Sequence, residues 1–405
     1  MEKTMKNIPQ LFELTPALEI EQRIDCFRSE LVKKGISYAL IVHNVNLFYF
    51  TGTIQRGYLV LPAAESPVFV VQKDEHRAHI ESPVKQVHIS GSRELPGILS
   101  DLGLGADLRT GLEFESLTTT LFLKFQKLLG HTHFEDISQT ILRLRSKKTD
   151  FEIEQIKKSG QFVDHIFSVA PNYIQTQMTE VELAAYLQAE SRKVGHQEIV
   201  RMRGFDHELT NPHVLTAQSA LIPSGGDIPL SGYGINPAIG QGASQRILEK
   251  HAPLLIDYAG GYNGYVTDET RTFVLGHLND FWLKAYEVAL EILDLFEQKA
   301  RPGVVAGDLY AAAVKLVEQR HLADNFMGCG ERRVKFIGHG IGLVINELPI
   351  IAQQRQEILE ENMVVALEPK FLFPGQGAIG VEVDYIVQKD RLERVSKFPT
   401  DIIHV

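Results

Sequence analysis

Cysteine is nearly absent: Cys26 and Cys329 are the two in 405 residues, too far apart for a disulfide framework or for a thiolate metal site. Charge of one sign is not in excess on the basic side. The formal net charge is −10, which argues against a nucleic-acid partner, since such partners are met by a basic face. Long apolar runs are missing as well, so no segment is expected to span a bilayer and no membrane partner is predicted. The opening MEKTMKNIPQLFELTP has lysines but no apolar stretch behind them, so it reads as no signal peptide, and the expectation is a cytoplasmic protein. What is present is apolar content: 44% hydrophobic and 23% charged residues suffice for sizeable cores, and the length exceeds one ordinary domain.

Two stretches differ along the chain. From about residue 20 to 140 helical and extended patterns alternate in an α/β manner. Glu19 to Lys34 carries Ile20, Ile24, Phe27 and Leu31 at helical spacing and stops at Gly35. Tyr38 to Val42, Gly57 to Leu61 and Val68 to Val71 read as buried strands. Around RLRSKKTD the chain turns polar. Thr149 or Asp150 can cap a helix from about Phe151 to Val169, and the domain boundary is placed just before it. Further helices are expected at Glu180 to Lys193, Phe281 to Lys299 and Gly307 to His321, the last two parted by Pro302 and Gly303.

The chemistry lies in three segments. In APLLIDYAGGYNGYVTDETRTFVL, Asp257 and Asp268 are symmetric about Tyr262 and Asn263, so a hairpin would set them face to face. In MVVALEPKFLFPGQGAIGVEVDYIV, Glu368 and Glu382 are symmetric about Gly375. Asp384 shares the face of Glu382 by the two-residue repeat, so spacing alone does not choose between them. In GHGIG, His339 lies between two glycines, where backbone can approach a ligand closely. A single acid in a strand is usually at a solvated edge, and a single histidine is usually structural. Opposed buried acids repel unless a cation sits between them, and the set is hard to explain as surface. Oxygen-rich donors with one imidazole suit Mn²⁺, Fe²⁺, Co²⁺ or Zn²⁺, and a two-metal centre activates water for hydrolysis.

In order, DYAGGYNGYVTDETRT, GHGIGL, ALEP and IGVE resemble the metal-ligand motifs of the pita-bread metallopeptidases, the family of Xaa-Pro peptidases, methionine aminopeptidase and creatinase. The resemblance covers roughly residues 140 to 400 and implies Asp257, Asp268, His339, Glu368 and Glu382 as ligands of two divalent metal ions (Mn, Co, Fe or Zn). It implies that Asp268 and Glu382 bridge the ions and that Glu368 also relays protons. The implied fold class is α+β. A creatinase/prolidase-type α/β domain over residues 1–145 precedes a pita-bread domain, a curved antiparallel sheet covered by helices, over residues 146–405. A homodimer is implied too, because the amino-terminal domain of this family usually overhangs the partner's active site.

Two positions depart from the pattern. Family peptidases read GHGIGLxxHExP, whereas here GHGIGLVINELP puts Asn346 at the second histidine. Ile239 and Gly240 stand where another histidine falls, about seventeen residues before Asp257. Those histidines hold the scissile amide. Asn346, taken here as a catalytic residue, still donates a hydrogen bond but cannot shuttle a proton. His207 and His213, in FDHELTNPH, are candidate replacements in substrate binding, against the plainer reading of loop histidines. Glu347 is retained from the pattern as a candidate near the substrate or ligands, or as an ordinary loop acid, and Arg271 is placed to neutralise nearby acids. The leading expectation is metal-dependent hydrolysis of Xaa-Pro peptides. The alternatives are a small-molecule hydrolase or lyase on the same fold, or a peptide-binding relative that has lost catalysis.

Overall fold

The structure is a computed structural model, and it describes residues 12–405 apart from 106, 131–132, 205–206 and 224–227. The first eleven residues, which carry most of the segment read as lacking a signal peptide, lie outside the described residues. The chain divides into two compact units, Met1–Leu144 and Arg145–Val405. Among the described residues no helix is long and apolar enough to cross a membrane.

In the first unit, helix α1 (Ala17–Lys34) buries Ile20, Ile24, Phe27 and Leu31 along one stripe. Gly35 ends it in the left-handed conformation at φ 64°, its amide returning to the carbonyls of Leu31 and Val32. Strands β1 (Tyr38–Ile41), β2 (Gly57–Pro62), β3 (Val68–Val71), β4 (Lys85–His88), β5 (Thr110–Leu112) and β6 (Phe134–Asp136) form one sheet in the order β4-β3-β2-β1-β5-β6. β1 to β3 pair antiparallel, whereas β1–β5, β5–β6 and β3–β4 pair parallel. Every residue of β1 and β3 is buried, the continuous apolar reading of strands covered on both faces. The one strongly buried acid near β1, Glu113, accepts from the amides of Val42 and His43 and from Asn46, which is a structural use.

The second unit opens with helix α2 (Asp150–Val169). Thr149 is its cap, in a reciprocal box with Glu152, an arrangement worth about 1 kcal/mol. Helix α3 (Glu180–Lys193) starts the same way at Thr179 and Glu182, and α4 (Asp280–Lys299) and α5 (Ala306–Gln319) follow later. A four-stranded sheet orders β17 (Ile403–His404), β9 (Tyr265–Val274), β8 (Leu254–Tyr262) and β7 (His213–Thr216). A five-stranded sheet orders β11 (Ile345–Ala352), β10 (Phe336–Ile341), β12 (Val364–Leu367), β15 (Val383–Val387) and β16 (Leu392–Arg394). The hairpin β13 (Lys370–Phe373) and β14 (Gly377–Gly380) lies in the chain between β12 and β15. Helix α2 packs on β8 and β9, and α5 packs on β11. The core joins α4 and α5 to the strands through Trp282, Leu293, Phe296, Leu309, Ala313, Ile337, Phe371 and Tyr385.

Register differs from the sequence expectation in one hairpin. Tyr262 pairs with Tyr265, leaving Asn263 and Gly264 as a two-residue turn, both at positive φ (47° and 87°). Asn-Gly favours that turn because its backbone twist matches the flanking strands. Asp257 therefore pairs with Thr270 and Asp268 with Ala259, so the two acids share one face as diagonal neighbours instead of standing opposite. In the other hairpin Lys370 pairs with Gly380 and Phe373 with Gly377. This is the symmetry about Gly375 expected from the sequence.

Candidate metal centre

The carboxylates reach one place from two directions. Asp257 and Asp268 come from the long hairpin β8–β9. Glu368 follows β12 and Glu382 precedes β15, and the backbones are locked together where the Glu382 amide donates to the Thr270 carbonyl at 3.0 Å. His339 comes from the middle of β10, between β11 and β12. Its flanking glycines allow the strands to approach. A Cβ on Gly338 would lie 2.4 Å from the Ala366 carbonyl oxygen, and one on Gly340 would lie 2.2 Å from that of Leu348.

Asp268, His339 and Glu382 bring one donor atom each to within 4.8 Å of one another. His339 Nε2 is 3.9 Å from Asp268 Oδ2 and 3.9 Å from Glu368 Oε1. Its Nδ1 faces the Gly340 carbonyl at 3.2 Å, a contact in which only Nδ1 can donate, so the lone pair of the neutral ring is on Nε2 and directed at the acids. Burial keeps the His339 pKa below its ordinary value, which favours that neutral form. Thr270 Oγ1 donates to Glu382 Oε2 at 2.9 Å, and Asp384 Oδ2 accepts from the Asp268 amide at 2.8 Å. Asp384 is thus a brace for the Asp268 strand and is not part of the cavity wall, where Glu368 and Glu382 are. This oxygen-and-imidazole set fits a divalent ion of the harder transition-metal kind.

One residue at the centre is absent from the sequence expectation. Lys370 Nζ donates to Glu368 Oε2 at 2.9 Å and to Glu382 Oε2 at 2.8 Å, and lies 3.8 Å from Asp257 Oδ2. The side chain is 3% exposed. The signal was available: Lys370 is two residues after Glu368 and so shares its face by the same rule that groups Asp384 with Glu382. Burial works against the ammonium, but Glu368, Glu382 and Asp257 outweigh it and hold Lys370 well above the ordinary lysine range. The acids move the other way. Burial, then Glu382, Asp257 and Asp384, raise Asp268 well above the usual carboxylate range, and burial pushes Glu368 up to about 8 against the pull of Lys370. The cluster is short of positive charge.

The remaining candidates separate. His213 lies across from Asp257 in the β7–β8 register, is buried, and lines the cavity with Asn346, Asp257 and His339. Its Nε2 makes no hydrogen bond among the described residues. Burial, then Lys370, lower its pKa to about 4, so the ring is neutral at neutral pH. His207 is exposed, contacts the Arg203 carbonyl and is not part of the cavity wall. Glu347 is 1% exposed and is held by Arg145 and by Lys148 at 3.2 Å, away from the cavity wall. Arg271 pairs with Glu269 at 2.8 Å and donates to the Glu382 carbonyl at 2.6 Å, so it neutralises a neighbour behind the site. Ile239 lines a different groove with Pro212 and Ala243.

Comparison with known proteins agrees with this architecture. Residues 154–389 match the model of metallopeptidase family M24, and residues 23–147 match the creatinase/prolidase N-terminal domain. An Xaa-Pro dipeptidase of Pyrococcus furiosus is 25% identical over 386 residues, 95% of this chain and 100% of that protein. Among solved structures, the Xaa-Pro dipeptidase from Bacillus anthracis superposes with a TM-score of 0.81 at 23% identity, covering 95% of this chain and 100% of that one. An X-Pro aminopeptidase from Thermotoga maritima gives 0.76 at 23% identity, covering 92% and 98%. At such identities the structural likeness speaks for the fold: a creatinase-type amino-terminal domain followed by a pita-bread domain.

Proposed function

The chain belongs to metallopeptidase family M24, and from that premise we propose that residues 146–405 form a divalent-metal peptidase cleaving the bond that precedes a proline. The observation that carries this reading is the convergence of Asp268, His339 and Glu382 donor atoms within 4.8 Å in a cavity wall. A divalent ion there supplies Lewis acidity, lowering the pKa of water and polarising a carbonyl. Asp268, His339, Glu368 and Glu382 are the residues that would hold it.

The protein's own groups do the rest. Glu368, oriented through Oε2 by the Lys370 ammonium, is the carboxylate placed to take a proton from the attacking water and return it to the leaving amine. Neutral His213 and the Asn346 amide line the same cavity and hydrogen-bond the scissile amide, in place of the family's two histidines. Met202, Leu209, Ile228, Pro229, Phe336 and Ile345 add an apolar wall suited to a proline ring. A homodimer and a cytoplasmic location belong to the same reading, by resemblance to the family.

A second reading has its own observation. Asn346 in place of a histidine, and Lys370 among the acids, favour a small-molecule hydrolase or lyase on this site. The deciding experiment strips the protein of metal and reloads it separately with Mn²⁺, Co²⁺, Fe²⁺ and Zn²⁺. Xaa-Pro dipeptides and Xaa-Pro-containing tripeptides are then assayed, with bound metal counted in each sample. Metal-restored cleavage of dipeptides alone marks a prolidase, and cleavage of tripeptides marks an aminopeptidase P. Bound metal without cleavage of either peptide sinks the peptidase reading in favour of the second.

A further inference from the structure

Lys370 enters the acid cluster by construction. It faces inward because it follows Glu368 by two residues, and β13–β14 pairing sets its stem across Gly380. A Cβ at Gly380 would lie 2.7 Å from Lys370 Cγ. The same Cβ would lie 2.6 Å from the Pro369 carbonyl oxygen and 2.8 Å from Lys370 Cα, so glycine here lets the whole Pro369-Lys370 segment, backbone and stem, lie close against β14. At the end of that stem the ammonium meets three carboxylates, at 2.8 Å (Glu382), 2.9 Å (Glu368) and 3.8 Å (Asp257).

We infer that the Lys370 ammonium is a built-in substitute for one of two metal ions, so that this centre takes a single divalent ion, on Asp268, His339, Glu368 and Glu382. The inference rests on reading the site as a metal centre. Asp257 becomes the counter-ion of Lys370 and not a ligand. The division follows from the donors: Glu368 Oε2 and Glu382 Oε2 accept from Lys370, while Glu368 Oε1 remains on the His339 side. A second divalent ion would have to displace the ammonium from Glu368 Oε2 and Glu382 Oε2, the oxygens it already holds at 2.9 and 2.8 Å.

The test counts ions and reads their coupling. The full chain is equilibrated with excess Mn²⁺, freed of unbound metal, and analysed for manganese per chain and by electron paramagnetic resonance. The wild type is expected to bind one Mn²⁺ with the hyperfine pattern of an isolated ion. Lys370→Ala is expected to take a second ion and show the spectrum of an exchange-coupled pair. Asp257→Asn is expected to keep the single ion in the wild-type background and to remove the second one from the Lys370→Ala background. Two ions in the wild type, or loss of the ion in Asp257→Asn, overturns the inference and leaves the metallopeptidase reading standing. One ion without Xaa-Pro cleavage leaves the inference standing and removes the peptidase reading, whereas no ion at all overturns both. Should Lys370→Ala fail to fold, the wild-type count and Asp257→Asn decide the matter.

Discussion

Among the buried charges of the second unit, the groups around Glu347 and around Lys370 are balanced in opposite ways. Glu347 is surrounded by two cations, Arg145 and Lys148, and also accepts from the Leu343 amide at 3.0 Å. Its carboxyl is consequently held below the usual range: burial acts to raise it, but the two cations overcome that. Around Lys370 the ratio is reversed, with Asp257, Glu368 and Glu382 sharing one ammonium and Asp268 close by. A complete set of partners makes Glu347 a clamp that holds the chain entry at residue 145 to the β11 strand. An incomplete set makes the other cluster a place that gains from binding a cation. Buried acids therefore distinguish structure from site by the count of their partners, more than by burial itself.

The sharpest way to break this comparison is to remove one member from each group. His339→Ala should lower Xaa-Pro turnover on the order of 10³-fold or more, the scale for losing a group that stabilises the transition state, and should release the ion. Among the described residues the ring's hydrogen bond is to the neighbouring Gly340 carbonyl, so the fold is expected to survive, which the melting scan checks. Turnover close to that of the wild type would remove His339 from the machinery. Glu347→Ala should do the converse. It leaves Arg145 and Lys148 buried without their acid, at a cost of roughly 3–5 kcal/mol and a melting temperature lower by roughly 6–20 °C. Bound metal per folded chain should stay unchanged. A calorimetric scan paired with metal analysis reads both variants, and a Glu347→Ala protein that melts like the wild type but loses metal would reverse the assignment.

A gentler probe of the same contrast is pH. In metal-stripped protein Glu368 has its pKa raised to about 8 and Asp268 moves the same way, so between the unfolded value and the folded one the native state binds more protons than the unfolded state. Stability then falls as pH rises through that window. His339 and His213 act in the opposite sense, their folded values lying below 6.5, and contribute stability that is lost as pH drops beneath 6.5. Above pH 6.5 the histidine contribution levels off while Glu368 and Asp268 still lose their protons, so the melting temperature of the stripped protein should decline as pH approaches 8. Saturating metal, or Glu368→Gln, should flatten the decline; a flat profile in the stripped wild type would mean that the acids are already balanced.

Much of this can be read in the chain because the devices are local. Thr149 with Glu152 and Gly35 mark helix ends within a few residues of themselves, and the glycines beside His339 announce a close strand approach. The Asp257–Asp268 register departs from the symmetric expectation because that expectation centres the turn on Tyr262 and Asn263, whereas Asn263-Gly264 is the pair whose positive φ values suit the hairpin. Lys370 needs only the alternation rule, but a lysine in a strand is ordinarily expected to face water. Glu347 is beyond such reasoning: its partners lie 202 and 199 residues away in sequence. Nothing local distinguishes a carboxylate that will meet two cations from one that will meet a substrate.

The smallest expected effect tests how far the site has moved from the family's pattern. Asn346 sits at φ 69° at the start of β11 and lines the cavity that holds Asp257, His213 and His339. If its amide hydrogen-bonds the scissile carbonyl, Asn346→His keeps a donor of similar reach in place, and Xaa-Pro turnover should hold or rise by up to about tenfold, within the range of one repositioned donor. The gain should appear in kcat and not in KM, because the contact strengthens as the oxyanion forms. A sharp loss of turnover with metal content intact would show that the cavity around Asn346 has been reshaped for another substrate. Lys370 and Asn346 would then be two parts of one departure from peptide cleavage, and the small-molecule reading would take precedence.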